Sequence, residues 1–269
     1  MRHILRFGGC GLALCVFAGT ASGVIHTLSD RNSLVQIDDA SQAGMFDWFV
    51  DGTDHMFQQW FWFRVGMSPE VSIDTLALTG TFIGDTNPFD DPASDTLSLR
   101  YSAPGFDIQP TWVLRGTTPG SARSDVTESI TITNHENFDL SISFFQYSDF
   151  DLNGTSGGDT AVIPGLLHNT ALQSEAGFTL SETVVAPVPS HYEVANFPSI
   201  LTRLNDGLPD TLTDFAGPVF GDCTWAFQWD FVIPAGQSVV ISKDKAITPA
   251  PGALALLGIG MLTLARRRR

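Results

Sequence analysis

Residues 224–233 read Thr-Trp-Ala-Phe-Gln-Trp-Asp-Phe-Val-Ile, and no other stretch constrains the fold as tightly. Trp225, Phe227, Trp229, Phe231 and Ile233 fall on one side of an extended chain, against Ala226, Gln228, Asp230 and Val232 on the other. Period-two alternation over nine residues is the mark of a strand with one face in a core. The apolar face suits core packing better than a sugar-stacking platform, because the polar residues sit opposite it. Pro234-Ala235-Gly236-Gln237 then supplies turn chemistry, and Ser238-Val239-Val240-Ile241-Ser242 opens another strand.

The same grammar recurs upstream. In residues 55–66, Phe57, Gln59, Phe61, Phe63 and Val65 alternate with Met56, Gln58, Trp60, Trp62 and Arg64, which predicts a strand covered on both faces. Residues 74–82 and 95–106 resemble each other as strands. Residues 128–134 and 138–150 predict a hairpin across His135-Glu136. A short helix is expected only within 197–207, opened by Pro198 and closed by Gly207. Many short strands with Gly- and Pro-rich turns predict an all-β antiparallel sandwich, jelly-roll or similar. No interior segment reads as a flexible linker, so one domain is expected over residues 24–245.

Charge narrows the partners. The chain has 29 acidic and 14 basic residues, net −15. Six of the basic residues are Arg2, Arg6 and Arg266 to Arg269, outside the span of the acids; without them the body carries 8 against 29, a net −21. Such a surface repels polyphosphate, so no nucleic-acid partner is expected. It favours solubility, divalent cations or basic partners.

The N-terminus has a basic start, an apolar middle and the small residues Ala21-Ser22-Gly23, which predicts a signal peptide over residues 1–23. Cys10 and Cys15 fall within it, leaving Cys223 alone and predicted buried. The C-terminus is tripartite: Pro249-Ala250-Pro251, an apolar run, then Arg266, Arg267, Arg268 and Arg269. The 13 residues from Ala253 to Ala265 would span about 20 Å as a helix, too short for a bilayer core of about 30 Å. The arginines favour the cytoplasmic side, so a temporary hold during export is expected.

This tail resembles the PEP-CTERM family of sorting domains, with Ala250 where that motif has Glu. The resemblance covers residues 246–269. It implies a bacterial protein handled near its proline motif by an exosortase-like processing enzyme, after transient inner-membrane contact. It also implies release to the cell surface or extracellular matrix, where exopolysaccharide is an expected partner.

Candidate chemistry is sparse. Asp149, Asp151 and Asn153 alternate, Gly154 comes sixth and Asp159 eleventh, a spacing that gathers oxygen ligands for calcium round a tight turn. Thr160 stands where an EF-hand has its bidentate Glu, and no helix pair flanks the loop. The acidic segment 84–95 is a weaker candidate for a second ion. Gly154-Thr155-Ser156-Gly157-Gly158 also spells G-x-S-x-G, with His168 and His191 downstream as nominal bases. No zinc spacing, P-loop or dinucleotide fingerprint occurs. With no catalytic constellation, the expectation is a non-enzymatic exported sandwich with a structural or adhesive role. The alternatives are a carbohydrate-binding module, turning Trp48, Trp60, Trp62 or Trp112 outward, or a secreted hydrolase.

Overall fold

A computed structural model describes residues 23–175 and 177–250. The expected signal peptide, apart from Gly23, and the tail from Pro251 through the arginines lie outside the described residues.

The expected antiparallel β-sandwich is what forms. One sheet contains β1 (Ile25–Asp30), β2 (Ser33–Asp38), β3 (Met45–Val50), β5 (Gln58–Val65), β11 (Leu140–Asp149), β17 (Cys223–Ile233) and β15 (His191–Asn196), in that spatial order. Two short strands attach to it, β4 (Thr53–Asp54) on β3 and β6 (Val71–Ser72) on β5. The second sheet runs β16 (Val219–Gly221), β12 (Asp159–Val162), β13 (Thr170–Glu175), β14 (Phe178–Ala186), β18 (Ser238–Pro249), β10 (Ser124–Asn134), β9 (Phe106–Gly116), β8 (Thr96–Ala103) and β7 (Ala77–Gly84). Helix is confined, among the described residues, to single turns: Ile73–Thr75, Leu152–Gly154 and α1 (Ser199–Arg203). None is long and apolar enough to cross a membrane.

Three sequence expectations change here. Residues 128–134 and 138–150 form no hairpin: β10 pairs with β9 and β18, while β11 pairs with β5 and β17 in the other sheet. The link at His135-Glu136 turns a sandwich corner, and a strand's own sequence does not say which sheet it joins. The outer face of β17 is also covered, with Ala226 and Gln228 both buried. The loop after α1 lies over it, and Gln228 Oε1 accepts the Leu212 N–H at 3.0 Å. The last strand, β18, continues to Pro249, past the expected edge at residue 245.

The core is aromatic. All six tryptophans are buried, and Trp60 of β5 stacks on Trp112 of β9 across the sandwich, with ring centroids 6.3 Å apart. That burial removes the outward-facing tryptophans that a carbohydrate-binding module required. Close packing next to Trp60 explains Gly44, which has φ of +56° and whose added Cβ would overlap the Trp60 ring and the Gln59 carbonyl. Gly44→Ala is expected to cost about 1–3 kcal/mol through strain and overpacking. Urea denaturation checks this, and an unchanged midpoint would refute it.

Candidate functional site

Antiparallel register brings together residues far apart in sequence. Across the first sheet, Gln58 at the start of β5 stands opposite Asp149 at the end of β11, and Asp149 stands opposite Thr224 near the start of β17. Asn196, ending β15, stands opposite Cys223. One end of these four strands therefore gathers Phe57, Asp149, Phe197 and Asp222 in a row. Two chain crossings between the sheets close the same end. After Asp149 the chain passes through Asp151 and the Leu152–Gly154 turn to reach β12 at Asp159. On the other crossing, β16 of the second sheet leads through Asp222 into β17 of the first.

The result is a cleft with two compartments that share Phe57 and Asp151. The larger, about 560 Å³, is lined by Phe46, Asp47, Asp54, Met56 and Gln58. The smaller, about 220 Å³, is lined by Asp149, Ser156, Phe197 and Asp222. Phe57 is half-exposed and meets Phe197 edge-on, centroids 6.0 Å apart, so the rim offers apolar rings beside acidic walls. The volume of the larger compartment suits a small ligand, for which sites of about 300–1,000 Å³ are usual.

The acids differ in environment. Asp47 projects from β3 toward Asp54, which the tight β3–β4 turn returns alongside it. Burial raises the Asp47 pKa above the ordinary carboxylate value, and its contact with the Asp54 carboxylate raises it further. Asp54 Oδ1 accepts the backbone N–H groups of Trp48 at 3.1 Å and Met56 at 3.2 Å, which fixes the carboxyl beside Asp47. The two carboxyl groups therefore interact directly, and the interaction favours a proton on Asp47. In the smaller compartment, burial pushes Asp149 up to about 7, against a hydrogen bond from the Tyr147 hydroxyl at 3.0 Å. Burial likewise pushes Asp159 up to about 7 and raises Asp151 and Asp222. His55, behind the turn, is driven down to about 4 by burial and stays neutral, its Nδ1 accepting the Asn153 N–H at 3.1 Å.

The predicted calcium ligands come together only in part. Oxygen atoms of Asp149, Asp151 and Asp222 all lie within 4.8 Å of one another. Asp159 is close enough to raise Asp149, while Asn153 is exposed at φ of 60°. Asp222 is the residue that sequence spacing missed, because it arrives from the second crossing. Asp47, Asp54, Phe57 and Phe197 carried no sequence signal either. In the acidic segment 84–95, Arg31 pairs with Asp90 at 2.7 Å and Arg115 with Asp95, while oxygen atoms of Asp90 and Asp91 lie within 4.8 Å of one of Asp30.

The serine motif builds no hydrolase triad. Ser156 is exposed in a loop between a single helical turn and β12, with no following helix. His168 stacks on Tyr192, centroids 4.2 Å apart, and His191 bonds Asp214 at 3.0 Å. Neither imidazole bonds Ser156. Cys223 is buried, as predicted, and burial raises its pKa to about 11.

No family model and no curated protein matches the chain. Its fold nevertheless matches solved structures. A bacterial glucoamylase complexed with acarbose superposes with a TM-score of 0.58 at 9% identity, over 92% of this chain and 36% of that one. A galactose mutarotase related enzyme from Lactobacillus acidophilus gives 0.54 at 7% identity, over 85% and 98%. An aldose 1-epimerase candidate from Escherichia coli K12 gives 0.50 at 10% identity, over 85% and 99%. This chain thus spans about a third of the glucoamylase but nearly all of the two mutarotase-type structures. What is common at such identities is the fold.

That fold corrects the expected function. A non-enzymatic body of structural or adhesive character was inferred from the lack of a linear catalytic motif. The architecture is instead one that solved carbohydrate enzymes adopt, and it holds a carboxylate-lined cleft. The inference failed because the cleft acids lie on separate strands and turns, where no spacing rule connects them.

Proposed function

We propose that the chain is a carbohydrate-processing enzyme that interconverts the anomers of an aldose in the cleft between Phe57 and the Asp47–Asp54 pair. The observation that carries this reading is the contact between two carboxyl groups, one of them with its pKa raised by burial and by the other, on the wall of an open, ligand-sized compartment. Anomer exchange needs one proton removed from the O1 hydroxyl and one delivered to the ring oxygen, and both oxygens are bonded to the same carbon. Adjacent carboxyls fit that geminal pair. Asp54 takes the O1 proton as Asp47 gives its own to the ring oxygen; the C1–ring-oxygen bond breaks and the open-chain aldehyde forms. Rotation and the reverse transfers close the other anomer and restore both groups. Glycoside hydrolysis fits less well, since its two carboxyls flank the bond at about 5–9.5 Å. The Phe57 ring would pack on the C–H face of the sugar.

Polarimetry of freshly dissolved α-glucose and α-galactose tests the reading. Wild-type protein should speed the approach to equilibrium well above buffer. No acceleration with any common aldose, together with release of p-nitrophenol from a p-nitrophenyl glycoside, would replace it by hydrolysis.

We also infer that the enzyme is exported and sorted through residues 246–269 by an exosortase-like enzyme, toward a matrix containing exopolysaccharide. In support, Pro249 ends a strand inside the sheet and the Ala250 N–H bonds the Gly177 carbonyl at 2.9 Å, so the first two residues of the proline motif belong to the sandwich. Mass spectrometry of the protein from its native host decides the matter. A mature end near Pro251 is expected, and an intact arginine cluster would refute processing.

A further inference from the structure

We propose that Asp149, Asp151 and Asp222 bind a calcium ion in the smaller compartment, with Asp159 as an acidic neighbour behind it. Three observations carry this. Oxygen atoms from all three carboxylates lie within 4.8 Å of one another. Two ligands that each sit about 2.3–2.6 Å from Ca²⁺ can be at most about 5 Å apart, so the group fits around one such ion; the shorter bonds of Mg²⁺, about 2.0–2.1 Å, demand a tighter set.

The second observation is independent of the clustering. Asp149 is 2% exposed, and its Oδ1 has no hydrogen-bond partner. Asp159, also 2% exposed, has neither carboxylate oxygen partnered. A buried carboxylate oxygen without a donor costs free energy, so a group that supplies positive charge to these atoms is what the site lacks. Third, the protein's own cations do not fill the gap. Among the described residues no lysine or arginine pairs with Asp149, Asp151, Asp159 or Asp222. In the acidic segment 84–95, by contrast, Arg31 pairs with Asp90 and Arg115 with Asp95.

The ligands come from both crossings between the sheets. An ion there ties the chain after β11 to the chain before β17, and pins the end of the sandwich on which Phe57 and Phe197 sit. The open side of the compartment leaves room for the water ligands that complete a coordination number of six to eight.

The proposed proton-transfer pair, Asp47 and Asp54, lies in the adjoining compartment, which shares Asp151 with this one, and neither member is a proposed calcium ligand. Calorimetric titration of the full chain with CaCl2, after chelator treatment, should show one saturable site and a higher melting temperature with the ion. Equimolar MgCl2 should do markedly less. Asp151→Asn and Asp222→Asn should each weaken calcium binding at least tenfold and abolish the thermal shift, while Asp54→Asn keeps both. The isosteric Asp151→Asn, at a half-buried position, covers the case in which Asp222→Asn fails to fold. Identical melting of chelated and calcium-loaded wild type, with no heat of binding, overturns the proposal. Unaltered affinity in Asp151→Asn and Asp222→Asn overturns the assignment of ligands. Anomer exchange lost in Asp54→Asn with calcium binding intact shows that the two sites stand or fall separately.

Discussion

Replacing Lys245 by methionine is expected to lower the unfolding free energy by about 3–5 kcal/mol, because it strands charge in the core. Lys243 and Lys245 of β18 point between the sheets and are completely buried, as are Glu182 and, at 1% exposure, Glu128. Glu128 stands opposite Lys243 on β10, and Glu182 opposite Lys245 on β14. Lys243 reaches Glu182 at 3.3 Å and also pairs with Glu128, as does Lys245. The second sheet's charges are then satisfied from the first: Lys245 donates to Gln59 Oε1 at 2.7 Å and Lys243 to Gln146 Oε1. Trp225 Nε1 and Ser148 Oγ donate to Glu182 at 2.9 and 3.0 Å. Burial alone would raise the Glu182 pKa, but Lys243 and Lys245, together with hydrogen bonds from Gln146 and Trp225, offset it and hold the carboxyl below its usual value. Burial drives Lys245 the other way, down from the usual lysine value, against the pull of Glu128.

Two positive and two negative groups make the cluster neutral as a whole, so removing one member is far worse than removing a pair. Lys245→Met combined with Glu128→Leu should recover most of the loss, since Lys243 and Glu182 still balance. Urea or guanidinium denaturation of the two variants provides the comparison. A single Lys245→Met variant within 1 kcal/mol of wild type would show that the tetrad is not held as ions.

Asp54→Asn should reduce the rate of anomer exchange by about 10²–10⁴-fold, the usual scale for a positioned acid–base group. Asparagine keeps the size and can still accept the Trp48 and Met56 N–H groups, so the fold should persist while the proton acceptor is gone. Asp47→Asn should lose activity for the complementary reason, having no acidic proton to deliver. The pH profile separates the two roles. Asp47 must be protonated, and its pKa is raised, so activity should extend above the ordinary carboxylate range and then fall as pH rises through the raised value. In Asp47→Asn that alkaline limb should disappear from any residual rate. A Phe57→Ala variant should instead raise KM with little change in kcat, because its ring binds without taking part in proton transfer. Retention of full rate in Asp54→Asn would exclude the Asp47–Asp54 pair as the site of chemistry.

Much of the architecture was legible in the chain. Alternation over residues 224–233 and 56–65 marked strands, and the aromatic content marked a core that could hold six buried tryptophans. The single helical turn within 197–207 and the buried Cys223 followed from equally local chemistry. Two of the three carboxylates around the proposed ion, Asp149 and Asp151, also showed in the spacing of one loop. The inward-facing lysines gave no such sign. Lys243 and Lys245 lie at alternate positions of an otherwise amphipathic strand, where lysine ordinarily marks the solvent face.

What the sequence determined by itself was therefore whatever depends on neighbours along the chain: strand periodicity, turn chemistry and the local crowding of acids. The tertiary structure alone decided which sheet each strand joins, which charges meet in the core and which aspartates share a cleft. The physical reason is that strand pairing and sheet crossing set distances in space with no fixed relation to separation in sequence. Asp149 and Asp222 are brought to one point by two such crossings, and Asp47 and Asp54 by a tight turn at the edge of β3.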